Sequence, residues 1–577
     1  MPQRLTRRSI VAATAICACA AMLAACTDTV PDEGAGGGND GFELHLKALS
    51  SCGEANPKNP LADIGSLELV VHDDQGAELS RSKQQFSGSK QMSFGEVPAG
   101  PGRTITLLGY PKGGGSASWF ARKRGIKIVK NTVTTLDMAM MKLGGFTCVE
   151  KGGGSIPNVA FGQLTQIDGG RVLISGGFAV SESAGKNTVI KSPRDDAYIF
   201  DPNTGELRDA LNKQRMNAAR AGHAAIYLPK RSEVLLVGGA QEMSLPNDGS
   251  APPSWKVTSG VNISFEMFDL SKDDKGKAVE MFRMPDTTEH VDKLVLPNLM
   301  PLADDFVVAL GGAEWPSESA TNQISYKHSD LFDPQEGDYG SFVKVAGALP
   351  LNDVRAGAAM AFIDTTEDGG SRYLIWGGQA GSVKAEIFRE DSSPGSGIFD
   401  ANYAVEGAIT EKPGALFFST LTPLGADKDG RWTFLSVGGA RYSGKKWQAP
   451  SADDVYLVTL HDEEGKKKRL VTERIKGLGA GVFMHKASLT DDKHVLITGG
   501  FTSFNKATTF TMREYDAATK TFLEPPAAKT FVKRGGHAAL RLNNDCVFMW
   551  GGVETWKDLE KTNPVVSDIY CPSHLAN

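Results

Sequence analysis

Seven times along this chain a short apolar run ends in a pair of glycines. The copies are RVLISGG (171–177), EVLLVGG (233–239), FVVALGG (306–312), YLIWGG (373–378), TFLSVGG (433–439), HVLITGG (494–500) and CVFMWGG (546–552). Their first glycines stand at 176, 238, 311, 377, 438, 499 and 551, so successive copies lie 52 to 73 residues apart. A recurrence of that period confines the chain to architectures that repeat one structural unit and bury each unit against its neighbours. The runs are rich in β-branched and large apolar residues, which suit buried strands. The glycines permit φ > 0 and close backbone approach where a side chain would clash. We therefore read Gly176, Gly177, Gly238, Gly239, Gly311, Gly312, Gly377, Gly378, Gly438, Gly439, Gly499, Gly500, Gly551 and Gly552 as structural repeat positions.

Each copy has the same surroundings. A second apolar run precedes it, as in RAGHAAIYLP (220–229) and RGGHAALRL (534–542). An aromatic run ending in turn residues follows, as in AYIFDPNTG (197–205) and SDLFDPQEG (329–337). A short fourth run closes most units, for example TFLEPPA (521–527). Four strands per unit and seven units read as an all-β protein built as a β-propeller, one blade per repeat. Apolar residues make up 41% of 577 residues, enough for a large core, and long helical periodicity is absent.

These motifs resemble the kelch family over residues 146–577. The resemblance implies a seven-bladed kelch-type β-propeller. The aspartate turn is missing from EIFREDSS (386–393) and VYLVTLHDEEG (455–465), and the tryptophan common on the family's fourth strand is mostly absent. The last unit has three strands before the chain ends, and GFTCVEKG (145–152) stands just ahead of the first unit. Residues 146–150 are therefore expected to supply the missing strand and close the ring, since an open ring leaves blade edges unpaired.

The propeller is assigned to 144–577 and a small β-sandwich to 42–143. Five strand-like runs, among them FELHLKAL (42–49), SLELVVHD (66–73) and RTITLLGY (103–110), carry the sandwich reading. It resembles immunoglobulin-like or transthyretin-like modules. Ahead of it, TDTVPDEGAGGGND (27–40) reads as a flexible tether within 26–41. Residues 1–25 carry Arg4, Arg7 and Arg8 before a short apolar stretch, the layout of a secretory signal. LAAC (23–26) resembles a bacterial lipobox, which implies a diacylated Cys26 and a lipid anchor. Thr27 follows it where aspartate would favour inner-membrane retention, so the resemblance points to the outer membrane of a Gram-negative cell envelope.

The formal net charge is −6, and without the three signal arginines the body carries −9, which disfavours nucleic acid as a partner. KKKR (466–469) follows HDEEG and reads as a solvated hairpin turn. Four cysteines remain beyond Cys26: Cys52, Cys148, Cys546 and Cys571. Their spacing does not suit zinc. Cys546 opens the second strand of the last unit and Cys571 ends the third, so antiparallel pairing sets them side by side. In immunoglobulin-like sandwiches the first and last strands run alongside each other, which implies Cys52–Cys148. The rival pairing is Cys148–Cys571 across the closing strands.

Catalytic motifs are missing. The sequence has no G-x-S-x-G elbow, no H-E-x-x-H pair and no Walker loop. No catalytic residue, metal site or cofactor is assigned. His223 and His537 share one repeat position and read as packing residues between blades. The first functional reading is a lipid-anchored scaffold, with no enzymatic activity, that binds protein or glycan through propeller loops. The alternative is a carbohydrate-active enzyme of oxidase or mutarotase type, with its site at the central channel; galactose oxidases share the kelch-type propeller, and that resemblance would imply a copper site of a Tyr/His cluster and a cysteine bonded to tyrosine. The two differ in what the channel should gather: several acids, histidines or arginines at one point for an enzyme, a scattered or apolar rim for a scaffold.

Overall fold

The computed structural model describes residues 41–50, 60–95, 97–150, 156–210, 215–246, 254–256, 265–272, 275, 277–283, 294–314, 324–325, 329–343, 351–352, 355, 357–378, 385–409, 416–443, 446–448, 450–463, 465–503, 508, 512–523, 533–555 and 567–576. Among them the regular structure is strand, with short 3-10 turns such as Ser573–Ala576. No helix among the described residues is long and apolar enough to cross a membrane.

The glycine-pair repeat folds as seven antiparallel modules. In module one, Gln163–Gln166, Val172–Ser175, Ala197–Asp201 and Glu206–Asp209 pair in chain order. The same order returns in modules two to six, whose first strands are Ala224–Leu228, Asn298–Pro301, Ala359–Thr365, Thr420–Ala426 and Lys486–Leu489. Module seven contributes Ala538–Arg541, Val547–Trp550 and Ser567–Cys571 from the end of the chain. Its fourth strand is Gly145–Cys148, with Asp568 opposite Cys148. The closing strand expected at 146–150 therefore occupies 145–148.

Neighbouring modules bury their faces against each other. Leu235, Val237 and Met267 of module two share one apolar cluster with Val307, Ala309 and Phe332 of module three. The glycine pairs fasten these layers. All fourteen have φ between +54° and +117°. A Cβ on the first glycine of each pair would stand 2.1 to 2.7 Å from a carbonyl oxygen of the next module. In six of the pairs, all but Gly311–Gly312, the second glycine's amide donates to that same carbonyl, as from Gly177 to Arg220 at 2.9 Å and Gly439 to Val482 at 2.8 Å. The bond from Gly552 to Val159 at 2.7 Å joins module seven back to module one.

Three modules add a buried ion pair. Arg220, Arg355 and Arg534 reach Glu266, Glu386 and Asp568 of their own third strands at 2.6, 2.8 and 2.8 Å. Each also donates to the carbonyl of its own module's first repeat glycine: Gly238, Gly377 or Gly551. Such pairs hold geometry because removing one partner leaves a buried charge uncompensated.

Residues 41–142 form a seven-stranded sheet. Its strands are β1 (Gly41–Ala48), β2 (Ile64–His72), β3 (Glu78–Gln85), β4 (Gln91–Phe94), β5 (Gly100–Pro111), β6 (Trp119–Ile128) and β7 (Val133–Lys142), in the order β3-β2-β5-β6-β7-β1-β4. β1 runs parallel to β7 along its whole length. β6 and β7 pair only at Trp119–Lys142 and Phe120–Met141, and residues from both sides of that crease share one core. Two strands escape the five-strand sequence reading. β3, ELSRSKQQ, has no buried position, and β4 is four residues long. Both are edges, where short or charged strands discourage pairing with other chains.

This sheet is not packed separately from the repeat. Leu49, Leu108, Phe120 and Met141 lie in one apolar cluster with Val172, Phe200 and Phe548. Asp545, 3% exposed at its side chain, is held by Arg122 and Arg124 of β6 at 2.6 and 2.5 Å and by Arg541 at 2.6 Å. The three guanidiniums hold the Asp545 carboxyl below its ordinary value despite its burial. Beside this clasp, Cys546 is bonded to Cys571, with Cα atoms 4.3 Å apart, which excludes the rival Cys148–Cys571. Cys148 is itself disulfide-bonded. Cys26 and Cys52 lie outside the described residues, and so does the expected Cys52–Cys148 pairing.

Candidate functional site

The first strands of modules one to six, with Gly536 and His537 just ahead of the first strand of module seven, line one cavity of 480 Å³. At its base each first strand is entered through a residue in the left-handed region. These are Phe161, Gly222, Leu296, Gly357, Phe418, Met484 and Gly536, with φ between +52° and +66°. For Phe, Leu and Met this costs roughly 1–2 kcal/mol each. The turn aims successive backbone groups around the ring. Phe161 donates to Gly536 at 2.8 Å, Gly222 to Phe161 at 2.8 Å and Leu296 to Gly222 at 2.7 Å. Phe418 donates to Gly357 at 2.8 Å, Met484 to Phe418 at 3.2 Å and Gly536 to Met484 at 3.2 Å.

Large and small residues interlock along this belt. A Cβ on Gly536 would stand 3.2 Å from the Phe161 ring, and one on Gly357 3.0 Å from Phe418. The residues just before the belt, among them Ala160, Ala221, Val295 and Phe483, lie in one apolar cluster with Phe161 and Met484. Phe178, Ile190, Met243, Leu245 and Trp255 join that cluster. They come from a separate four-stranded sheet, Phe178–Ala184, Asn187–Pro193, Glu242–Pro246 and Ser254–Lys256, carried on the long connections of modules one and two. The cavity thus rests on a hydrogen-bonded floor with an apolar cluster on the strand-entry side.

One residue beyond the belt stand His223, His485 and His537, all buried. Their Nε2 atoms lie 2.9 Å from Ser175 Oγ, 2.9 Å from Thr420 Oγ1 and 3.0 Å from Thr498 Oγ1. Each Nδ1 is buried without a partner. A bare lone pair there costs less than an unsatisfied N–H, so the rings are neutral with the proton on Nε2. Burial, and then Arg220, pushes His223 down to about 3. Burial, and then Lys486, pushes His485 down to about 3. Burial, followed by Arg534, Lys486 and His485, holds His537 well below its ordinary value. His223 and His537 were legible from GHAA at 222–225 and 536–539. His485 was missed because Met484 replaces the glycine, although counting back from Gly499 gives the same register.

The rest of the lining is mostly alanine, glycine and larger apolar residues, with Gln163, Asn298, Ser419 and Thr420 interspersed. No Asp, Glu or Arg is among the described lining residues, and Lys486 carries the one full charge. No tyrosine is among the described lining residues, and the described cysteines are all in disulfides. A copper centre of Tyr, His and tyrosine-linked Cys therefore does not fit these residues. Among the described residues, the group of His, Cys, Asp or Glu able to share an ion is Asp491, His494 and His574, which does not line the cavity. There the imidazoles stack with centroids 4.0 Å apart and planes 18° from parallel. An ion in the plane of one ring would lie far from the plane of the other. Both rings are turned instead toward Asp491 Oδ2, at 2.8 and 3.4 Å.

No family model matches the chain, and no curated protein matches it. Among solved structures it is similar to a fungal alcohol oxidase of the AA5 family determined in complex with copper. Identity is 13% over 72% of this chain and 75% of that one, with a TM-score of 0.46. It is also similar to a chain of the RAG complex with one melted and one unmelted RSS. There identity is 14% over 48% of this chain and 83% of that one, with a TM-score of 0.33.

Proposed function

We propose that the seven modules form a seven-bladed kelch-type β-propeller, that residues 42–143 form a small β-sandwich docked on it, and that the whole acts as a binding scaffold. On this reading Cys26 is lipidated and tethers the body through 27–40 to the cell envelope, at the outer membrane. The partner is a protein or glycan held by loops between strands, and nucleic acid is not a partner. The observation that carries the scaffold reading is the channel lining. Among the described lining residues there is no acid or arginine, and the three histidines are neutral packing groups tied to neighbouring hydroxyls.

Two measurements test this. Cys26→Ser should move the protein from the membrane pellet to the soluble fraction after a salt wash; persistence in the pellet counts against the lipid anchor. Incubation of the full chain with copper(II) and a panel of sugars and primary alcohols should give no peroxide, and with reducing sugars no faster mutarotation than buffer. Turnover abolished by a substitution in the channel would replace the scaffold reading with the enzyme reading.

A further inference from the structure

Lys486 opens the first strand of module six and lines the central cavity. It is exposed there, whereas His485 beside it is buried in the module. Its ammonium has no hydrogen-bond or ion-pair partner among the described residues. Across the described lining it is the one formal charge, with no carboxylate opposite it among those residues. His485 and His537 beside it are neutral and add no further charge. Gln163 and Asn298 add side-chain amides to the wall, and Ala224, Ala359 and Leu421 add apolar surface.

We propose that the central cavity is a binding site for a small organic carboxylate, its anionic group paired with Lys486. The size fits, because 480 Å³ lies within the range of ordinary small-ligand pockets, roughly 300–1,000 Å³. The floor fits too, because the backbone belt and the apolar cluster beside it favour a ligand enclosed at one end. Charge complementarity selects the sign, and one amine on a mixed wall selects a single anionic group on a compact body. This proposal concerns the lumen and goes beyond loop-mediated scaffolding, on which it does not rest.

The carboxylate could sit on an apolar or on a hydroxylated body, and the test separates them. Calorimetric titration of the full chain in detergent uses benzoate and glucuronate, each beside a neutral counterpart, benzyl alcohol and glucose. At least one acid should bind about 10-fold or more tighter than its counterpart, as a charge-assisted contact to the amine requires. Lys486→Met should weaken that acid about 10-fold or more, and Lys486→Arg should retain it within about 3-fold. Unchanged thermal midpoints would show that both variants fold. Three results overturn the proposal: neither acid binding up to about 10 mM, neutral counterparts binding as tightly, or Lys486→Met binding as wild type does.

Discussion

Acid should open this protein through its three channel histidines, and the size of the effect follows from their burial. In the unfolded chain each takes a proton near its ordinary pKa of 6.5. In the folded protein His223 and His485 resist protonation until about pH 3, and His537 is lowered in the same direction. Between those values the unfolded state binds more protons, so stability is fully present above pH 6.5 and drains as pH falls toward 3. Each histidine contributes about 1.4 kcal/mol per pH unit in that window. At pH 4.5 the loss is about 2.7 kcal/mol for each of His223 and His485, or about 5 kcal/mol for the two, with His537 adding in the same direction; that already reaches the whole stability of many domains at about 5–15 kcal/mol. The perturbation is His→Gln at 223, 485 and 537, singly and together, because the glutamine amide can still reach the hydroxyl. Urea unfolding, followed by the fluorescence of buried Trp376 and Trp550, is measured from pH 7 to pH 4.5. Wild type should lose stability steeply; each single variant should shallow the slope by about 1.4 kcal/mol per pH unit, and the triple variant by about three times that. If His537→Gln leaves the slope as it is in wild type, the neutral, protonation-resistant state of that ring is wrong.

Other expectations follow from the fasteners. Gly438→Ala puts a Cβ 2.1 Å from the Val482 carbonyl and should cost about 3 kcal/mol or more, whereas Gly430→Ala, with nothing within 4 Å, should cost only about 1 kcal/mol; differential scanning calorimetry compares the two. Asp545→Asn removes the carboxylate that three arginines share and should destabilise by about 3–5 kcal/mol, and a loss under about 1 kcal/mol would mean the clasp is not what joins sheet to modules. Cys571→Ser opens a bridge spanning 25 residues, about 3.5 kcal/mol in the chain-entropy account, and non-reducing peptide mapping of wild type should recover the 546–571 fragment.

The sequence by itself determined the repeat and its strands. Glycine pairs punctuate apolar runs locally, and antiparallel register then follows by counting, which is why Cys546 could be set beside Cys571 and residues near 146 beside the last strand. The same counting reached His223 and His537, where a glycine marks the register. It stopped at His485 and Lys486, because FMHKA carries no such mark and a lysine on a strand end reads as surface. Only the tertiary structure put Lys486 in a cavity wall, since that depends on segments from all seven modules meeting at one place. Phe161, Leu296, Phe418 and Met484 are unremarkable in sequence; their left-handed turns exist because a neighbour's backbone accepts the hydrogen bond and, for Phe161, Leu296 and Phe418, a glycine next door leaves room for the side chain. Asp545 likewise reads as a turn residue, yet its partners Arg122 and Arg124 stand more than 400 residues earlier. Local pattern governs which residues form strands; ring closure governs which side chains then meet, because those contacts join segments that no short window of sequence contains.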